Sequence, residues 1–230
     1  MKKFRFQQFE IQQSKKIFRV GTDAVLLGTL ANIEHSENIL EVGTGTGIIS
    51  LMLAQRNPKA HFLGLDIDEN AVEFTRINFK NSPFSDRMRV ILQDFKHFHT
   101  DCQYDLIISN PPYFEKNVSD KDVVARQRLT LDFESLVQKS VGLLTENGRL
   151  CIIIPFEFSN EVEKFAQKEN LFLKTKINIY GIQGGKQRRV ILTFSKQAQK
   201  VLERDFVIEK SPRNYSDEYL AITKDFHIFG

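Results

Sequence analysis

Ile39-Leu40-Glu41-Val42-Gly43-Thr44-Gly45-Thr46-Gly47-Ile48 is the stretch on which the reading of this 230-residue chain turns. Ile39 to Val42 reads as a buried strand, and Ile48 to Gln55 as a helix with Ile49, Met52 and Leu53 on one side. Between them stand Gly43, Gly45 and Gly47. Glycine at alternate positions lets the backbone turn tightly and approach a ligand without Cβ collisions, with the helix N-terminus behind it. This is the pattern of a nucleotide-class ligand site. The dinucleotide fingerprint G-x-G-x-x-G fails here because its third glycine falls on Ile48, and no Walker loop is present.

Outward from that stretch, short apolar runs alternate with amphipathic ones. Phe62 to Leu65, Met88 to Leu92, Tyr104 to Ile108 and Leu150 to Ile154 read as strands. Glu69 to Phe79, stopped by Ser82-Pro83, Phe133 to Leu144 and Glu157 to Glu169 read as helices, the first with Ala71, Phe74 and Ile77 or Asn78 on its inner face. Leu171 to Tyr180 and Val190 to Phe194 close the series as an antiparallel hairpin around Gly184 and Gly185. Seven strands in this order specify an α/β fold, a mostly parallel sheet with helices on both faces. The chain reads as one domain over 1–230: an extension over 1–38, a core over 39–195 and a C-terminal segment over 196–230. In the extension, Gly21-Thr22-Asp23 precedes a helix over Ala24 to Ala31, so Thr22 or Asp23 is a candidate N-cap. The polar segment 111–130 follows the fourth strand, where a loop of that length is usually functional.

Twenty Phe and an ordinary balance of apolar and charged residues exclude disordered and low-complexity classes. The longest apolar run, Leu150 to Ile154, is far short of a membrane span, and MKKFRFQQFEIQQ lacks the apolar segment of a secretory signal. Cys102 and Cys151 fit a reduced cytoplasm. His97, His99 and Cys102 lack a fourth ligand at any zinc spacing, so no metal is expected. No nucleophile elbow is present, and neither cysteine has a paired base. No oligomer seam is legible, which leaves a monomer as the default. The net charge is only +3, but Lys2, Lys3 and Arg5, then Lys15, Lys16 and Arg19, then Arg126 and Arg128, then Lys186, Arg188 and Arg189 form four basic groups. Gathered on one face they would suit a polyanion; dispersed, they are solvated surface charges.

The pattern E-x-G-x-G-x-G over Glu41 to Gly47 resembles the first motif of class I S-adenosylmethionine (SAM) dependent methyltransferases, whose fold is Rossmann-like. Asp66, ending the second strand 19 positions after Gly47, is where a carboxylate can accept both ribose hydroxyls of an adenosine. The resemblance implies that Asp94 bonds the adenine amine and that Glu41 faces the methionyl amino group; Asp94 also reads as an N-cap.

Asn110-Pro111-Pro112-Tyr113 directly follows the fourth strand. Two adjacent prolines fix φ and remove two donors, leaving a stiff loop that presents acceptors. An amine on an aromatic ring or amide is a poor nucleophile because its lone pair is delocalised. The Asn110 carboxamide oxygen and the Pro111 carbonyl can each accept one N–H, turning the lone pair toward a methyl donor, while Tyr113 stacks on the acceptor. N-P-P-Y here resembles the amino-methyltransferases, among them adenine-N6 DNA and RNA enzymes and glutamine-N5 enzymes acting on release factors. Val20-Gly21-Thr22-Asp23-Ala24-Val25-Leu26-Leu27-Gly28, Ala125-Arg126 with Leu131-Asp132, and Asn214-Tyr215-Ser216-Asp217-Glu218-Tyr219 resemble, more narrowly, the bacterial tRNA(Val) adenine-N6 methyltransferases. That resemblance implies methylation of the adenosine 3′ of the anticodon. It implies that Gly21, Thr22 and Asp23 help shape the acceptor pocket, and that Arg126, Arg128, Lys186, Arg188 and Arg189 are candidates for RNA phosphates. Two rival readings are a glutamine methyltransferase, whose relatives carry a larger N-terminal helical domain, and a silent RNA-binding protein that kept the fold.

Overall fold

The computed structural model describes residues 2–13, 20–111 and 132–227. The extension opens with a separate antiparallel pair, β1 (Lys2–Arg5) and β2 (Glu10–Gln13), followed by α1 (Thr22–Leu30). The core then runs β3 (Asn38–Val42), α2 (Ile48–Arg56), β4 (His61–Asp66), α3 (Glu69–Lys80), β5 (Met88–Leu92), β6 (Tyr104–Ser109), α4 (Phe133–Leu143), β7 (Leu144–Pro155), α5 (Ser159–Lys168), β8 (Phe172–Ile182) and β9 (Gln187–Ser195). The C-terminal segment adds β10 (Leu202–Ser211), β11 (Asn214–Tyr215) and α6 (Asp217–Thr223).

The strands order as β11-β10-β8-β9-β7-β6-β3-β4-β5. The seven expected strands are all present, β9 antiparallel to both of its neighbours and the rest of that core parallel. The sheet described nonetheless has nine strands, not seven. β10 pairs in parallel with β8 and β11 folds back on β10, so the C-terminal segment extends the sheet through these two strands instead of trailing from it.

Alternation along the parallel strands sorts side chains to two cores. Ile39, Leu106, Ile108 and Ile153 pack on one face with Leu26, Leu51 and Phe79 from α1, α2 and α3. Leu40, Ile107, Ile152 and Ile154 pack on the other with Leu136, Val137 and Val162 from α4 and α5. The helix after β3 therefore covers one face and the helix after β6 the other. Neighbouring strands whose connections leave to opposite faces open a crevice beyond their carboxyl ends. Helix α2 is buried all round from Ile48 to Ala54 rather than on the expected single side, because α1 covers it from outside. Arg149 ties the extension down, donating to Asn32 Oδ1 (3.0 Å), the Glu34 carbonyl (2.8 Å) and Ser36 Oγ (2.9 Å).

Candidate active site

The crevice between β3 and β6 collects the carboxyl ends of four adjacent strands. Val42 is paired with Ser109, and Ser109 Oγ donates to the Val42 carbonyl at 2.8 Å, so Gly43 and Asn110 leave the sheet side by side. Val42 also pairs with Leu65, and Asp66 with Leu92, which brings Asp66 and then Asp94 onto the same rim.

Gly43, Gly45 and Gly47 have φ of 73°, 57° and 75°, the left-handed region that residues with a Cβ avoid. Their loop is held from below. Gly43 and Thr44 donate to the Leu65 carbonyl (2.9 and 3.0 Å), Thr75 Oγ1 donates to the Gly45 carbonyl (2.9 Å) and Asn78 Nδ2 to the Thr46 carbonyl (2.9 Å). A Cβ at Gly43 or Gly45 would meet nothing within 4 Å, whereas one at Gly47 would lie 2.5 Å from Phe79 Cε1. Two glycines thus face open space and the third is packed.

Glu41 is buried beneath the loop. Its Oε2 accepts from Thr44 Oγ1 (3.0 Å), the Ser50 amide (3.1 Å) and the Ser50 hydroxyl, while Oε1 is buried without a hydrogen-bond partner among the described residues. Burial pushes this carboxyl up from 4.5 to about 7, against the opposing bonds from Ser50 and Thr44. A buried acceptor left unmatched is costly in isolation and fits a ligand that brings a donor or a cation. Asp66 Oδ2 accepts from the Gly45 amide (2.8 Å) and Oδ1 from the Asp68 amide (3.0 Å); burial raises its pKa and these amides oppose the rise. Asp94 caps the short 3₁₀ turn Phe95–His97 through the Lys96 amide at 2.9 Å, and Gln93 donates to the Asp66 carbonyl at 2.9 Å. Both readings of Asp94 therefore remain compatible, since a carboxylate has further lone pairs.

Asn110 is half-buried and Pro111 buried. Pro112, Tyr113, Arg126 and Arg128 lie outside the described residues, as do Lys15, Lys16, Arg19 and most of the segment 111–130. Neither Thr22 nor Asp23 caps α1: Gly21 holds the N-cap position with no side-chain bond, and Asp23 Oδ2 instead accepts from Arg189 Nε at 2.9 Å. The α1 start is thereby joined to β9, and the Arg189 side chain offered above for phosphate is engaged by a carboxylate. Lys186 and Arg188 are exposed at the β8–β9 turn, on the same rim.

Some participants were not singled out in the sequence. Thr75 and Asn78 brace the glycine loop from α3, and Asn78 also bonds both backbone groups of Gln12 in β2 (2.8 and 3.1 Å). The buried face of α3 holds Ala71, Val72, Thr75, Asn78 and Phe79, so Ala71 and the Asn78 alternative stand as expected while Phe74 is only half-buried; polarity on that inward spacing was the available signal. Ile67 and Leu92 are 51% and 47% exposed beside Asp66, an apolar lip where a flat ring can lie. Among the described residues no group of His, Cys, Asp and Glu could hold a metal, and no helix is long and apolar enough to cross a membrane.

Residues 13–179 match the family model "Methyltransferase small domain". A tRNA1(Val) (adenine(37)-N6)-methyltransferase from a Flavobacteriaceae bacterium (strain 3519-10) is 49% identical over 230 residues, covering 100% of both chains. Its namesake in Bacteroides thetaiotaomicron is 34% identical over 98% of this chain and 97% of its own. The fold is similar to a predicted O-methyltransferase from Agrobacterium tumefaciens (TM-score 0.68, 17% identity, covering 89% of this chain and 96% of that one). A Pyrococcus furiosus methyltransferase aligns with TM-score 0.61 at 18% identity, over 83% and 90%.

Proposed function

The chain belongs to the bacterial tRNA1(Val) (adenine(37)-N6)-methyltransferase family, and on that premise we propose that it methylates the N6 amine of the adenosine 3′ of the anticodon in a valine tRNA. The cofactor is SAM, which when bound supplies an electrophilic sulfonium methyl. The observation that carries the reading is the convergence on one crevice of a glycine loop open at Gly43 and Gly45, Glu41 Oε1, which has no partner among the described residues, Asp66 and Asn110-Pro111.

In this reading Glu41 would face the methionyl ammonium, the open face of the loop at Gly43 and Gly45 would take the cofactor's body, Asp66 would accept from the ribose hydroxyls and Asp94 from the adenine amine. Ile67 and Leu92 offer apolar surface to the adenine ring. Asn110 Oδ1 and the Pro111 carbonyl accept the two N–H bonds of the target amine and orient its lone pair; Pro112 stiffens the turn and Tyr113 stacks on the target base. In-line attack would form the N–C bond as the sulfonium S–CH3 bond breaks, with neutral S-adenosylhomocysteine as leaving group; the positive charge on nitrogen would meet two oriented acceptors and its proton would pass to solvent afterwards, so no strong base is required. An unpaired loop base reaches such a pocket more readily than a paired one. Lys186 and Arg188, with Arg126 and Arg128, hold the RNA backbone. Asp23 and Arg189 act together, as a pair that fixes the wall of the pocket. The protein is read as one domain acting as a monomer in the cytoplasm.

The test is transfer of labelled methyl from SAM to unmodified tRNA(Val) transcript, beside a transcript with guanosine at position 37, followed by nucleoside chromatography. N6-methyladenosine from the first and none from the second is the expected result. Label in a release factor offered in parallel, with none in either RNA, would move the assignment to glutamine.

A further inference from the structure

The Asn214 to Tyr219 block has no part in the pocket, yet it folds onto the same rim. β10 runs parallel to β8, so its end at Ser211 reaches the level of the β8–β9 turn. Gln183 at that turn donates to the Glu209 carbonyl at 2.9 Å, joining the two tips. The β10–β11 turn carries Arg213 at φ 64°, a left-handed conformation that glycine would adopt more readily. Its backbone amide donates to Glu209 Oε2 at 3.3 Å.

The cations of this region divide into two sets. Lys210 is paired with Asp217 (2.7 Å), Arg204 with Glu218 (2.6 Å) and Arg189 with Asp23 (2.9 Å). Lys186, Arg188 and Arg213 are exposed and make no ion pair with a described residue. The turn that bears Arg213 is also anchored. Tyr215 stacks on Tyr219 (4.7 Å between centroids), Tyr219 on His227 (6.5 Å), His227 on Phe6 (6.0 Å) and Phe6 on Phe9 (4.7 Å). Ser216 Oγ accepts from the Tyr219 amide at 3.0 Å, fixing the start of α6 beside it.

We infer that Lys186, Arg188 and Arg213 form a ridge that grips the phosphate backbone of the tRNA stem flanking the target loop. The inference rests on the tRNA reading above and adds a place on the RNA. From β6, where Asn110 stands, β9 is two strands away and β10 four, about 10 and 19 Å at roughly 4.8 Å per strand. At about 3.4 Å per nucleotide along one stacked strand, the ridge meets phosphates roughly three to six nucleotides from the base in the pocket. That is too far to touch the reacting base and far enough to reach its stem, where paired bases leave the backbone as the accessible feature.

The experiment measures steady-state methylation of tRNA(Val) transcript across a range of salt. It compares the parent enzyme, Arg213→Gly, Arg213→Lys and Arg213→Gly combined with Lys186→Ala and Arg188→Ala. Glycine suits the left-handed backbone, so Arg213→Gly removes the charge while keeping the turn, and it remains informative if the triple variant does not fold. Expected are a several-fold rise in KM for tRNA in Arg213→Gly, on the order of 30-fold or more in the triple variant, and recovery in Arg213→Lys. The slope of log KM against log salt should flatten by about 0.7–0.9 per contact removed. Unchanged KM and salt slope in all variants, or loss confined to kcat, would overturn the ridge while leaving the tRNA reading intact. Failure of the parent to methylate tRNA would instead remove the reading and the ridge together.

Discussion

Glu41 carries the sharpest pH signature of any single side chain in the crevice. Its carboxyl is raised by burial to about 7, so in the folded protein the neutral form is favoured relative to the unfolded chain. Ionising it between about 4.5 and about 7 therefore lowers the stability of the ligand-free protein as pH rises. A cationic ligand group against Oε1 reverses the preference, and binding then releases a proton. SAM affinity should accordingly tighten about tenfold between pH 6 and pH 8, because roughly a tenth of Glu41 is ionised one unit below its pKa and nine-tenths one unit above. Titration calorimetry in two buffers checks this, and Glu41→Gln should bind more weakly with a flat profile. A steep profile retained in Glu41→Gln would place the titrating group elsewhere. The acidic and glycine residues of the site were legible because each is chemically conspicuous at a strand end. The inward position of Asn78 was legible from its spacing but its partners were not, since they lie on β2 and the glycine loop, which only the fold brings to it.

Among the elements, the β3–loop–α2 unit is the most tightly specified. Gly47→Ala asks an alanine to hold φ 75° with its Cβ 2.5 Å from Phe79 Cε1, which should cost about 2–4 kcal/mol. In thermal unfolding that corresponds to a fall in Tm of roughly 5–15 °C for a chain of this size. Gly43→Ala has the same kind of backbone conformation but open space at its Cβ, so it should lose SAM affinity more than stability. Equal destabilisation by the two would mean that packing against α3 does not distinguish them. The parallel strands were legible as elements because burial on both faces makes them continuous apolar runs. β10 was missed for the opposite reason: Leu-Glu-Arg-Asp-Phe-Val-Ile-Glu-Lys-Ser buries only Phe206 fully, and a strand near the sheet edge that keeps its charges looks like coil.

For the whole molecule, the distant contact that bears most directly on the site is Asp23–Arg189, which links the start of α1 to β9 across the rim. Its carboxylate and guanidinium are 22% and 27% exposed, so the pair should contribute about 1 kcal/mol. Asp23→Arg and Arg189→Asp should each destabilise, the double exchange should recover most of the loss, and a double-mutant cycle in denaturant should report the coupling. If the exchange restores stability and the KM for tRNA together, Arg189 acts through Asp23; a KM that stays high would make Arg189 a phosphate contact in its own right. No local pattern could have revealed this pair, or the stacking of Phe6 on His227 that joins the chain's two terminal segments, because both depend on residues far apart in sequence. The mostly parallel sheet was implied by alternating strands and helices, whereas the strand order and the placement of the extension and the last strands required the folded structure.

Asn110 and Pro111 are proposed to orient the target amine in the crevice that would hold the methyl donor. Single-turnover methyl transfer to tRNA(Val) by Asn110→Ala, with Kd for SAM and for tRNA measured on the same protein, tests it most directly. The rate should fall at least about a hundredfold while both Kd values stay within about threefold of the parent. Transfer at the parent rate would contradict it.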